Sequence, residues 1–178
     1  MPIQLASPTA TPTHLPIGLQ PADARGDRRM NPILDTIEFF HAMRNQMRFG
    51  KFSRLPIRVH RFEIADDSAE CDWFMRPPDP WDSYLPQRRQ EEHLTEQALL
   101  DALKIRELIF RGFGHVQSAG LRMYREQEGA DPELMLVGDV ERETHGLREV
   151  ASLVMRAKLY GFRLSLAGGA LERIAPAE

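Results

Sequence analysis

The chain has 178 residues, 42% of them hydrophobic and 28% charged, enough for one ordinary globular domain and short for two. A formal charge of −3 argues against a protein that coats nucleic acid through bulk charge, and leaves room only for a local basic patch. The single cysteine, Cys71, excludes an internal disulfide framework and a cysteine-rich zinc module, and fits a reducing, cytoplasmic compartment.

Residues 1 to 30 carry Pro2, Pro8, Pro12, Pro16 and Pro21 among Thr, Ser and Ala, a spacing that defeats helix and sheet. They lack the apolar centre of a secretory signal, and no run in the chain approaches the roughly eighteen apolar residues of a membrane span. The segment reads as a flexible arm or an over-long gene start ahead of Met30, with the ordered domain over 31 to 178.

Asn31-Pro32 opens a helix, with a capping residue followed by proline at the first helical position. Ile33, Leu34, Ile37, Phe40, Met43 and Met47 recur at helical spacing as its inward face, and Gly50 closes the segment. Residues 55 to 64 read as a strand. Leu55, Ile57 and Val59 share one parity while Phe62 and Ile64 share the other, which predicts a bulge near His60. The run AECDWFM alternates strictly and puts Cys71, Trp73 and Met75 on one apolar side. With Asp66 to Ala69 as a four-residue loop, Ile64 faces Cys71 and Phe62 faces Trp73.

Pro77, Pro78 and Pro80 fix φ and remove amide donors, so residues 77 to 86 form a stiff crossing between the two halves. A long helix follows from Gln87 to Arg111, with Ala98, Leu99, Ala102, Leu103, Ile109 and Phe110 inward and Gly112 at its end. Residues 115 to 125 and 134 to 142 make a hairpin around Gly129-Ala130-Asp131-Pro132. A third helix is expected from Gly146 to Tyr160, capped by Thr144, with Leu147, Val150, Ala151 and Val154 inward. FRLSLA and ALERI then flank Gly168-Gly169, a dipeptide suited to a two-residue hairpin turn. Helix followed by hairpin, three times, predicts an α+β fold: a largely antiparallel sheet built from hairpins, covered by about three helices, behind a disordered N-terminal arm.

The chemistry-bearing motifs are missing. No Walker loop, dinucleotide fingerprint, HExxH or GxSxG occurs, and the six histidines are scattered. Cys71, on the apolar parity of a strand, makes a poor nucleophile because burial raises a thiol pKa. No catalytic residue, metal site or cofactor is assigned.

Two surfaces remain. The first comprises Arg76, Asp79, Trp81, Asp82 and Tyr84 on the proline-stiffened crossing. Trp, Tyr and Arg dominate interface hot spots, and a rigid loop loses little entropy on docking. The competing structural reading has Trp81 folded back as a lid, with Asp79 or Asp82 capping a turn. The second surface is a charge strip. Between Glu38 and Glu63 every formal charge is positive, namely Arg44, Arg48, Lys51, Arg54, Arg58 and Arg61, with Phe49 and Phe52 interleaved. From Glu63 to Asp82 the balance inverts, with Arg76 the one base. Either the strips pair across the hairpin, Arg61 near Glu70 and Asp72, or Arg44, Arg48, Lys51, Arg54 and Arg58 contact nucleic acid or anionic lipid.

Residues 88 to 166 also follow the order helix, two strands, helix, strand, and LMLVGDVERETHGLREVASLVMRA, with Gly138 and Val140, loosely resembles the glycine-and-valine strand and helix of BON domains. The spacing to Gly161 is longer than in that pattern, and Gly168-Gly169 lies outside it. The resemblance implies a lipid- or partner-binding module. Together these features predict a small non-catalytic binding or assembly protein, an accessory subunit or self-associating module, whose Trp81 loop engages a protein partner or a second copy. The alternatives are the nucleic-acid or anionic-lipid surface, and an enzyme assembled from distant residues such as His60, Arg76 and Asp82.

Overall fold

The computed structural model describes residues 32–142 and 147–175; the arm predicted over 1 to 30 and the Thr144 cap lie outside them. Three helix-then-hairpin units make up the described chain: α1 (Pro32–Gln46) with β1 (Arg58–Ala65) and β2 (Ser68–Phe74), α2 (Gln87–Gly112) with β3 (Ser118–Arg125) and β4 (Glu133–Glu141), and α3 (Leu153–Leu159) with β5 (Phe162–Ala167) and β6 (Ala170–Glu172). The six strands lie side by side in chain order. Four of the neighbouring pairs are antiparallel and one, β2 with β3, is parallel. The parallel pair requires a crossover, and α2 supplies it. The fold is therefore α+β with a mostly antiparallel sheet.

The register of the first hairpin differs from expectation in an instructive way. Its turn is only Asp66 and Asp67, with Ala65 opposite Ser68 and Asp66 at φ 51°. Asp tolerates this left-handed conformation, so a tight turn displaces the four-residue loop. Phe62 consequently faces Cys71 and Ile64 faces Ala69, two residues from the predicted pairing. An even shift keeps every side chain on its face, which is why the burial pattern survives. The register also shifts between Val59 and Arg61, placing the bulge at His60. A second bulge lies on β4, where Met135 is the extra residue opposite the Met123–Tyr124 step of β3, and it buries both Met135 and Leu136; strict alternation hid it.

Two helices depart from their predicted form. On α1 the buried residues are Phe39 and Met43, continued by Met47 just past its end, while Ile33, Leu34, Ile37 and Phe40 are exposed. The helix carries apolar residues over more than one face, and spacing alone cannot tell which stripe meets the core. The third helix is shorter than expected. Residues 147–149 form a 3-10 turn, and α3 starts only after Ser152, whose hydroxyl accepts from the Met155 N–H at 3.3 Å. Serine is a strong cap, and it begins the helix where its oxygen is placed.

The core lies between one sheet face and the helices. Ala69, Cys71 and Trp73 of β2, with Leu121 and Met123 of β3, are buried with Leu99, Ile105 and Ile109 of α2. Full burial of each large side chain is worth about 1.5–3 kcal/mol. Phe39 stacks on Phe62 with ring centroids 4.4 Å apart and joins α1 to β1. The other sheet face is ionic. Arg122 donates to Glu70 at 2.6 Å and to Asp72 at 3.3 Å, and its hydrogen bond to Glu70 raises its pKa. Arg61 stands opposite Asp72 in register and feels the charges of Asp72 and Glu70, as expected, while its side-chain hydrogen bond goes to Glu63 on its own strand, Nε to Oε1 at 2.9 Å. Among the described residues no helix is long and apolar enough to cross a membrane.

Candidate functional site

The connection from α1 to β1 carries Arg48, Lys51 and Arg54, half of the basic strip, and a buried polar network holds it. Arg76, 2% exposed, donates from Nε to Asp101 Oδ2 at 2.7 Å and from Nη2 to Asp101 Oδ1 at 3.1 Å. The same guanidinium reaches the carbonyls of Met47, at 2.6 Å, and Leu55. Gln97 completes the network: its Nε2 donates to Asp101 Oδ1 at 2.9 Å and its Oε1 accepts from the Phe52 N–H at 2.8 Å. Burial pushes the Asp101 carboxyl up, against the opposing pull of Arg76 and Gln97. Gly50 touches this network so closely that a Cβ there would lie 2.3 Å from Gln97 Oε1. The loop bearing Arg48, Phe49 and Arg54 is thus clamped at both ends and in the middle.

The proline crossing is clamped to the same loop. Residues Pro80–Tyr84 form a 3-10 turn whose first amide, Trp81 N–H, donates to Asp79 Oδ1 at 3.0 Å. Asp79 Oδ2 accepts from the Arg54 N–H at 3.1 Å, so one carboxylate caps the turn and holds the basic loop. Asp82 Oδ2 meets His93 Nδ1 at 3.2 Å, and His93 stacks on Phe52 at 4.3 Å. Trp81 is 70% exposed and Tyr84 88% exposed on the outer side of this turn.

Of the five residues predicted for the aromatic surface, Trp81 and Tyr84 face solvent, Asp82 is half-buried, and Asp79 and Arg76 are buried. Asp79 caps the turn, as the structural reading expected, yet Trp81 does not fold back as a lid. The basic residues divide as cleanly. Lys51 pairs with Glu96 at 2.6 Å, Arg58 pairs with Glu126 and lies over the Phe74 ring at 4.9 Å, and Arg61 pairs with Glu63. The guanidinium groups of Arg44, Arg48 and Arg54 have no carboxylate within 4.0 Å among the described residues, and all three residues line one cavity of about 800 Å³. The rest of its wall is mostly apolar: Phe40, Met43, Met47, Phe49, Pro56, Ile57 and Val59. A second cavity of about 580 Å³, bounded by Trp81, Phe52 and His93, shares Phe49 and Arg54 with the first. The two surfaces that the sequence separates are therefore parts of one face.

No protein-family model, curated protein or solved structure matches this chain.

The BON-like reading of residues 88 to 166 thus has no family match behind it, and its second helix is reduced to a 3-10 turn and the short α3. The residues named for an enzyme are not gathered together. Arg76 and Asp82 line different cavities, and His60 packs edge-on to Phe74 with ring centroids 5.5 Å apart. Among the described residues no cluster of three or more His, Cys, Asp or Glu side chains could hold a metal ion. Sequence reasoning missed Gln97 and Asp101. Their signal was an acid at position 101, between Ala98 and Ala102 on the apolar stripe of α2: a buried carboxylate demands a buried base, and Arg76 was the one base in the neighbouring acidic run.

Proposed function

We propose that this is a small binding or assembly protein, an accessory subunit or self-associating module, that docks a partner on the Trp81–Tyr84 ledge. The observation that carries this reading is the exposure of two large aromatics on a turn held by Asp79, Asp82 and the prolines. Large exposed aromatics are costly to leave in water, and a clamped turn has little entropy left to lose on docking. The lone, fully buried cysteine accords with work in a reducing, cytoplasmic setting.

The test combines gel filtration and light scattering with quantitative affinity capture on wild-type chain, Trp81→Ala with Tyr84→Ala, and an exposed control, Arg173→Ala. A partner or self-association retained by the control and lost by the aromatic variant supports the reading. A strictly monomeric chain with no ledge-dependent partner overturns it.

A second reading, contact with nucleic acid or an anionic surface, is favoured by the three arginines at the cavity whose guanidinium groups have no carboxylate partner among the described residues. Lys51 and Arg58 enter it less readily, since each already has a carboxylate partner. Affinity for such a partner falls steeply with added salt through counterion release, and binding that ignores salt and the Arg48→Glu with Arg54→Glu variant removes it.

A further inference from the structure

Of the six bases between Glu38 and Glu63, three pair with neighbouring acids, and the three with no such pair among the described residues converge on a single, mostly apolar cavity. An arginine on the rim of an apolar hollow is positioned for a ligand that brings both a carboxylate and greasy surface. Arg48 is held for that role, its guanidinium 5.1 Å from the centre of the Phe49 ring, and Phe49 is itself 60% exposed.

The apolar part continues beyond the cavity. Ile33, Ile37 and Phe40 are exposed on α1 at positions that share a face with Arg44, so one stripe runs from apolar to basic. At 1.5 Å per residue, Ile33 to Arg44 spans about 17 Å, longer than a compact small molecule and matched to three turns of a helix. At the other end, Phe49 and Arg54 join the groove to the second cavity under Trp81.

We infer that this groove takes an acidic amphipathic segment of a partner protein; the inference rests on reading the protein as a binding module and names what its face recognises. Apolar residues of the segment lie on Ile37, Phe40 and Phe49, and its carboxylates pair with Arg44, Arg48 and Arg54. The complementarity favours a peptide over nucleic acid, whose bases would stack on Phe49 but leave the aliphatic stripe of Ile33 and Ile37 uncovered. It also favours a peptide over a membrane, because the arginines rim a hollow where a bilayer surface needs a projecting one.

The test pans a phage-displayed random library of about 16-residue peptides on the full chain, since a segment of that length covers the groove as a helix. Enriched peptides should carry Asp or Glu beside apolar residues spaced three and four apart. Their affinity should fall at least about tenfold for Arg44→Glu with Arg48→Glu, and likewise for Phe49→Ser, with urea midpoints unchanged. The inference is overturned by no enrichment over bare support, or by peptides that bind the charge-reversed chain equally well. It is overturned too if phosphatidylglycerol vesicles, a single-stranded oligonucleotide or a second copy of the chain compete more strongly for the same arginines. Trp81→Ala separates the two readings: arginine-dependent peptide binding that survives it sustains the groove even where the ledge itself fails.

Discussion

Arg76 and Trp81 lie five positions apart on the same proline-rich crossing, yet they do opposite work. Arg76 sits in a buried network with Asp101, and removing one partner of such a pair leaves an uncompensated charge inside. Arg76→Ala or Asp101→Ala should each cost about 3–5 kcal/mol in urea unfolding. Trp81→Ala should stay within about 0.5 kcal/mol of wild type, as surface changes do. An equal loss at both sites would mean that the indole packs on its own chain and is not offered to a partner. Cys71 shows the same division between identity and placement. Burial pushes its thiol up to about 12, so Ellman's reagent at pH 8 should modify it only in the unfolded chain. Rapid labelling of the native protein would refute that burial.

At the scale of elements, each departure from expectation traces to a local choice that spacing does not encode. The first hairpin slips by two residues because Asp66 accepts a left-handed backbone. The second half of the sheet depends on Gly161, at φ 98°, where a Cβ would fall 2.6 Å from the Asp139 carbonyl oxygen. Gly161→Ala should therefore destabilise by more than the about 1 kcal/mol that an unstrained glycine change involves, measured by thermal unfolding. On α1 the inner and outer stripes give a direct contrast. Met43→Ala should cost about 2–5 kcal/mol, whereas Ile37→Gln, on the exposed stripe, should leave stability nearly unchanged. Equal losses would mean that the outer stripe is also covered within the chain.

Across the whole molecule, the sheet separates an apolar face under the helices from an ionic one, and titration of the buried side acts on global stability. The Cys71 pKa is raised on folding from 9.0 to about 12, so the unfolded chain gives up the proton first. The stability this thiol contributes is fully present below pH 9.0 and is lost as pH rises toward about 12. Burial raises the Tyr124 phenol as well, in the same sense. Urea midpoints should fall across that window for the wild type and fall less for Cys71→Ala; parallel curves would show that the thiol is not the titrating group.

Much of this was written in local sequence. Strict alternation in AECDWFM placed Cys71 and Trp73 inside, opposed parities marked the bulge at His60, and Gly168-Gly169 marked the last turn, because each depends on neighbours within a few residues. The grouping of Arg44, Arg48 and Arg54 at one hollow, the neutralisation of Lys51, Arg58 and Arg61, and the burial of Arg76 against Asp101 were decided only by tertiary structure. Charge pairing and exposure depend on which distant carboxylate the packing brings within reach, and no spacing along the chain records that distance.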